Sequence, residues 1–345
     1  MTHPLRIAVL GCGRIGQMHA ELLARRVPGA TVSFVYDAVP EASASVGARL
    51  GIPVASSVDE ILGSDQVDAV AICSSTDTHV ELMIGAAQAG KAIFCEKPVS
   101  LDLEQVDRGL DAVDRSGVPF MVGFNRRFDP THKAVRDAVV GGQVGDVHLV
   151  RITSRDPAPP PIAYIKVSGG IFCDMTIHDF DMVRFLLGEE PVAVLATAAS
   201  LVSAEIAAIG DIDTASVSLQ TASGKIATIT NSRRCSAGYD QRIEVHCANG
   251  MARTDNVPKS PYSIETASGV ERDKPKFFFT DRYAESYAAE WAHFVQVLDG
   301  SAVANPTGID GYRALLLAEA AYISLAEGRR VTVAETEARV LGATT

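Results

Sequence analysis

The stretch Leu5-Arg-Ile-Ala-Val-Leu-Gly11-Cys-Gly13-Arg14-Ile15-Gly16-Gln-Met-His-Ala-Glu-Leu-Leu23 decides the fold. It opens as a short apolar run of strand character and ends with apolar residues at three- and four-residue spacing over 15–26, which predicts a helix. Strand, glycine loop and helix in that order begin a βαβ unit. In the G-x-G-x-x-G pattern the first glycine permits the tight turn, the second lets a pyrophosphate approach the backbone, and the third lets helix and strand pack closely. The helix N-terminus, at Arg14 and Ile15, adds free N–H groups and a partial positive charge that suit phosphates.

Working outward, runs at 31–36, 67–72, 92–94 and 120–122 have strand character and alternate with helical patterns at 80–88 and 103–115. Such alternation predicts a parallel sheet with crossover helices, ending near Phe124. Beyond it the texture changes. A helix at 130–140 and a strand at 147–153 precede the loop Arg155-Asp-Pro-Ala-Pro-Pro-Pro161, which is too short of backbone donors for regular structure. Strands at 192–198, 214–220, 226–231 and 242–247, separated by turns such as Ser223-Gly224 and Asn249-Gly250, predict a largely antiparallel sheet. Helical patterns at 283–298 and 309–327 close the chain.

The chain is therefore read as α/β, with an N-terminal Rossmann dinucleotide-binding domain over 1–124 and a C-terminal α+β domain with an open, mainly antiparallel sheet over 125–345. Its 345 residues, at about 150 per domain, agree with two domains. A hydrophobic share of 47% with 21% charged residues excludes a disordered or fibrous chain. The net charge of −11, with Lys and Arg scattered, argues against nucleic acid and anionic membrane as partners. No apolar run approaches the roughly 18 residues of a membrane span. The opening MTHPLRIAVLG lacks the pattern of an export signal, and the six cysteines (Cys12, Cys73, Cys95, Cys173, Cys235, Cys247) include no C-x-x-C and read as small buried hydrophobes. A soluble, cytoplasmic setting is the expectation.

Asp37 ends the second strand about 20 residues beyond Gly16, where an acid accepts hydrogen bonds from ribose hydroxyls and repels a 2′-phosphate. No Arg or Lys follows it within ten residues, so NAD is favoured over NADP. Glu96-Lys97-Pro98 lies at the carboxyl edge of the same sheet, and the proline keeps Lys97 out of helical geometry, so its ammonium can be aimed. In the run from Gly169 to Leu187, about 100° per residue puts Asp174, His178 and Asp181 at roughly 0°, 40° and −20°, two carboxylates beside one imidazole. Asp179, at roughly 140°, reads as solvent-facing or structural. A carboxylate at one ring nitrogen fixes the tautomer and leaves the other to take a proton. The set suits alcohol oxidation, with His178 as base, Asp174 orienting it and passing the proton on, and Lys97 stabilising developing alkoxide charge. Lys97 and His178 both remain candidates for the first proton acceptor. No H-E-x-x-H occurs and no two histidines stand one helical turn apart, so no metal is expected.

Taken together, GCGRIG at 11–16, Asp37, EKP at 96–98 and GG-x-x-x-D-x-x-x-H-D-x-D at 169–181 resemble the Gfo/Idh/MocA oxidoreductase family, and within it the inositol 2-dehydrogenases, over essentially the whole length. The resemblance implies a Lys97–Asp174–His178 constellation, an outer sheet face that forms subunit contacts, and a homotetramer. It also implies that Ser74, Thr76 and His79 line the cofactor together with the Gly11–Gly16 loop, Glu96 and Lys97. On the substrate side it points to Arg127, with its neighbour Arg126 an equal candidate, and to Asp156, where inositol dehydrogenases can carry an amide. Tyr239 and Tyr287 are further candidates to meet ring hydroxyls, Tyr287 also fitting a helix core. The activity implied is NAD-dependent oxidation of one secondary hydroxyl of myo-inositol or scyllo-inositol to the ketone. Alternatives are an aldose or anhydrosugar as substrate, or a non-catalytic NAD-binding sensor, which would need none of Lys97, Asp174 and His178.

Overall fold

The structure is a computed structural model that describes residues 3–342. The chain forms two compact units, one of residues up to 125 together with 286–313, the other of 126–285 and the residues from 314 on.

In the first unit, β1 (Leu5–Leu10), β2 (Ala30–Tyr36), β3 (Ala69–Ile72), β4 (Ala92–Glu96) and β5 (Phe120–Gly123) make an all-parallel sheet in the order β2-β1-β3-β4-β5. The connecting helices are α1 (Arg14–Arg25), α2 (Pro40–Leu50), α3 (Val58–Leu62), α4 (His79–Gln88) and α5 (Leu103–Ser116). Strands β3, β4 and β5 are buried along their whole length, which is why they read as unbroken apolar runs rather than alternating ones. The strand order reverses at β1, with β2 on one side and β3 on the other, so a crevice opens outside their carboxyl ends.

The glycines of the first loop divide by purpose. Gly11 has φ +99°, and a Cβ there would stand 2.5 Å from the backbone nitrogen of Ser74. At Gly16 it would stand 1.8 Å from the carbonyl oxygen of Gly11, so only glycine lets α1 lie where it does. At Gly13 it would meet nothing within 4 Å, so that residue guards open space rather than packing.

The second unit begins with α6 (Pro130–Val140), β6 (Val147–Arg155), α7 (Ile162–Ile165) and α8 (Ile177–Leu187). There follow β7 (Pro191–Ala199), α9 (Ala204–Ala208), β8 (Thr214–Thr221), β9 (Ile226–Ser232), β10 (Asp240–Cys247), β11 (Gly250–Arg253), the hairpin β12 (Ser263–Thr266) with β13 (Gly269–Arg272), and α10 (Phe279–Arg282). After α11 (Ala284–Leu298) and α12 (Gly308–Glu327) come β14 (Val331–Thr332) and α13 (Val333–Val340). Seven strands form one sheet in the order β11-β10-β6-β9-β8-β7-β14, antiparallel except for the parallel pair β6–β9. Periodicity reports a strand's faces and not its partner's direction, and the long connection from β6 to β9 is what makes parallel pairing available.

Along the sheet face beneath α8 the chemistry changes in register. Ile152 stands beside Ile229 and Ile243, then Ser154 beside Asn231 and Gln241, and then the strands end at Asp156 and Arg233. An apolar core thus becomes polar at one end of the sheet.

The chain crosses between the two units more than once. The sequence reading gave all of 125–345 to the second domain, whereas 286–313 fold into the first. The reason is aromatic: Trp291 and Phe294 of α11 are fully buried and pack on Phe94 of β4, the first tilted and the second edge-on, at centroid distances of 4.3 and 5.8 Å. Farther on, the carbonyl of Pro306 accepts from the backbone N–H of Val122 at 3.3 Å, continuing the edge of β5.

These packing distances predict a contrast. Gly16→Ala should lower the unfolding free energy by about 1–3 kcal/mol in urea titrations, whereas Gly13→Ala should change it by no more than about 0.5 kcal/mol. Equal effects at the two positions would show that the close approach of α1 is not what fixes Gly16.

Candidate active site

Every residue that the sequence reading assigned to the nucleotide lies in the first unit, at or near the carboxyl edge of its sheet. The Asp37 carboxylate accepts the backbone N–H of Cys12 at 2.6 Å and that of Val39 at 2.8 Å, so it braces the glycine loop from the end of β2. Gly13 and Arg14 are exposed and Ile15 half-buried at the start of α1, whose first turn carries no acidic side chain. Ser74 and Thr76 are half-buried in the loop after β3, with Ser74 Oγ 2.6 Å from Thr78 Oγ1.

Two residues expected to line the cofactor do something else. His79 is buried, its ring nitrogens 2.9 Å from the carbonyl oxygen of Pro98 and 3.1 Å from that of Ser74, so it braces the loop walls. Glu96 is buried too, with Oε1 2.7 Å from His19 Nε2 and Oε2 accepting the backbone N–H of Lys97. Between Ala92 and Val99 only Lys97 is not buried. The Lys97–Pro98 peptide bond is cis.

In the second unit the pattern repeats on a helix. Between Ile171 and Arg184 every residue is buried except Asp174 and His178. Phe172–Thr176 is a π-helical turn that leads into α8 at Ile177, so the even 100° step from Asp174 onward does not hold. The Asp174 carboxylate accepts from the hydroxyl of Tyr164 at 2.8 Å and from Nη1–H of Arg233 at 3.1 Å. Neither partner was found by the sequence reading. Tyr164 lies just beyond a proline-rich loop that offered no period to read, and Arg233 became visible only once β9 was in register with β6.

Asp156 is half-buried at the end of β6, and burial pushes its carboxyl up to about 7, with the Asp174 carboxylate pushing the same way and the Arg233 guanidinium opposing. Tyr239 is buried, its ring 5.9 Å from that of Tyr283, and burial raises its hydroxyl well above the usual range.

Other expectations are corrected here. Asp181, expected as a second acid flanking the imidazole, has both its oxygens accepting from Arg127, at 2.8 and 2.5 Å, in a buried ion pair. Arg127, expected on the substrate side, therefore also holds α8. Asp179 is structural and fully buried, bonded to Arg126 at 2.6 Å and to Asn231 at 2.7 Å, and desolvation raises its carboxyl. The Arg126–Arg127 pair is thus a double anchor. Tyr287 takes its helix-core alternative, with its ring edge-on to His19 at 5.6 Å in the first unit.

The first unit fits a dinucleotide: the space in front of Gly13 is clear, the N-terminus of α1 carries no competing acid, and Asp37 stands at the end of the adjacent strand. Comparison with known proteins agrees. Residues 5–124 match the model of an oxidoreductase family with an NAD-binding Rossmann fold, and residues 132–253 match the Gfo/Idh/MocA C-terminal domain. Inositol 2-dehydrogenase of Rhizobium meliloti (strain 1021) is 50% identical over 332 residues, 96% of this chain and 99% of that one. A crystal structure of myo-inositol dehydrogenase from Corynebacterium glutamicum ATCC 13032 superposes with a TM-score of 0.90 at 40% identity, covering 95% of this chain and 98% of the other. One of scyllo-inositol dehydrogenase from Lactobacillus casei, with bound cofactor NAD(H) and scyllo-inositol, gives a TM-score of 0.90 at 28% identity over 96% of this chain and 99% of the other. The chain belongs to the Gfo/Idh/MocA oxidoreductase family, and its first unit is an NAD-binding Rossmann domain.

Proposed function

We propose that this chain is an NAD-dependent dehydrogenase that oxidises one secondary hydroxyl of a cyclic polyol, myo-inositol or scyllo-inositol, to the ketone. The observation that carries the reading is the selective exposure of Asp174 and His178 on an otherwise buried helical stretch, with Arg233 and Tyr164 holding the Asp174 carboxylate. The names of the relatives support the same substrate class.

NAD, when bound, accepts the hydride released from the hydroxyl-bearing carbon. The protein's own task is the proton and the charge. His178 takes the hydroxyl proton, Asp174 orients the imidazole and passes the proton on, and the Lys97 ammonium hydrogen-bonds the oxygen as negative charge grows there. Asp156 accepts hydrogen bonds from neighbouring ring hydroxyls. Arg233 is fully buried, so its guanidinium acts by holding the Asp174 carboxylate rather than by meeting substrate. A substrate lacking a hydroxyl matched to Asp156 forfeits that hydrogen bond, which favours a ring bearing many.

The same reading carries a cytoplasmic setting and a homotetramer, whose contacts use the open face of the seven-stranded sheet, where Leu195 and Ile226 are exposed. Light scattering should return four times the chain mass, and a monomer at assay concentration would remove the assembly.

Lys97→Ala and His178→Ala should each lower kcat for inositol by about 10²–10⁴, read as NADH absorbance, while NAD affinity stays within a few fold. Near-normal turnover in either variant would end its assigned role. Gly13→Ala should instead weaken NAD binding, since its methyl group enters the cleared space.

A pH effect follows from Asp156. Its carboxyl ionises around pH 7 and accepts hydroxyl hydrogen bonds best as the anion, so polyol binding to the enzyme–NADH complex should tighten from pH 6 to 8. Asp156→Asn should flatten that dependence; a slope that survives the substitution assigns it to another group.

A further inference from the structure

Two buried imidazoles that take no part in the chemistry above stand on either side of the Glu96-Lys97-Pro98 turn. His19 projects from the buried side of α1, three residues beyond Gly16, and is fully buried. Its ring is boxed edge-on by Phe94, Tyr287 and Trp291, at centroid distances of 5.5, 5.6 and 5.5 Å. The indole N–H of Trp291 donates to Nδ1 at 2.8 Å. An indole nitrogen is a donor only, so Nδ1 accepts and the ring proton sits on Nε2. That N–H donates to Oε1 of Glu96 at 2.7 Å, and Oε2 accepts the backbone N–H of Lys97 at 3.2 Å. The carboxylate fits because residue 123 is glycine: a Cβ there would press within 3.2 Å of Cδ. Glu290, fully buried beside Trp291 in sequence, is pushed well above the ordinary carboxyl range by burial and by the charge on Glu96. On the other side of the turn, His79 stands against the carbonyl of Pro98.

We infer that His19 is a positioning residue of the reaction: locked in one tautomer by Trp291, it holds Glu96, and Glu96 fixes the backbone from which the Lys97 ammonium is aimed, while His79 steadies the same turn at Pro98. The inference rests on the role given to Lys97 above. A long, flexible side chain inherits its aim from the backbone, and a misplacement of about 1 Å at a reacting centre costs about 10²-fold in rate. The carboxylate also cannot be left without donors, because a buried, unsatisfied charge would draw water or a new conformation into the turn.

The test uses the full chain with NAD and inositol, separating kcat from KM and from NAD affinity. His19→Leu keeps the bulk and removes both hydrogen bonds; kcat should fall about 10–100-fold, with KM and NAD affinity within about threefold. His19→Gln, whose amide donates to Glu96 and accepts from Trp291, should restore kcat to within about fivefold of the parent. Trp291→Phe keeps an aromatic ring but removes the five-membered ring with its N–H, and should cost about 3–10-fold in kcat. A folded His19→Leu with kcat within twofold of the parent overturns the inference, as does equal loss in the Leu and Gln variants. Should His19→Leu fail to fold, Trp291→Phe decides, and an unchanged kcat there overturns it. Lys97→Ala keeps the two readings apart: an active Lys97→Ala removes the role of Lys97 itself, whereas an inactive one beside a normal His19→Leu removes only the clamp.

Discussion

The first helix rests directly on the chain that leads into it, and much of the first unit follows from that contact. Because position 16 has no Cβ, α1 comes down onto the carbonyl of Gly11, and because position 11 has none either, that loop lies against the backbone at Ser74. One placement of the helix then has two results. The amino end of α1 faces the clear space at Gly13, and one turn farther on the same helix delivers His19 to Glu96. A methyl group at either crowded glycine would shift both together.

In the second unit the governing constraint is desolvation. Four buried guanidinium groups are paired with carboxylates: Arg126 with Asp179, Arg127 with Asp181, Arg282 with Asp129, and Arg233 with Asp174. Such pairs add little net stability, yet losing one partner costs about 3–5 kcal/mol, so they act as strict selectors of geometry. Asp179 and Asp181 are spent on holding α8. Asp174 differs from them in keeping an exposed margin while it is paired.

Apolar periodicity and glycine spacing made the parallel sheet and the switch-point loop legible in the chain, and Pro98 marked the Lys97 turn. They could not report features that depend on partners distant in sequence. The π-helical turn at Phe172–Thr176 has no signature in a helical wheel and shifted the angular reading, so Asp181 was given to the imidazole when Arg127 had claimed it. Arg233 looked like one more arginine near a turn until the register of β9 with β6 put it beside Asp156. His19 and Trp291 lie far apart in the sequence and looked like ordinary helix residues, and the hydrogen bond between them exists only in the folded chain. The return of 286–313 to the first unit was hidden for the same cause: α11 carries a helical pattern wherever it packs.

That return sets an order on synthesis. A ribosome releases the nucleotide-binding sheet early, but Phe94 and His19 remain without Trp291 and Phe294 until the later α11 has also emerged. The nascent sheet must therefore wait, with its aromatic seam open, while the whole intervening unit is translated. Any genetic exchange that swaps one lobe for another has to carry both of its separated pieces, so these two modules are inherited as an interleaved pair rather than as beads that can be restrung.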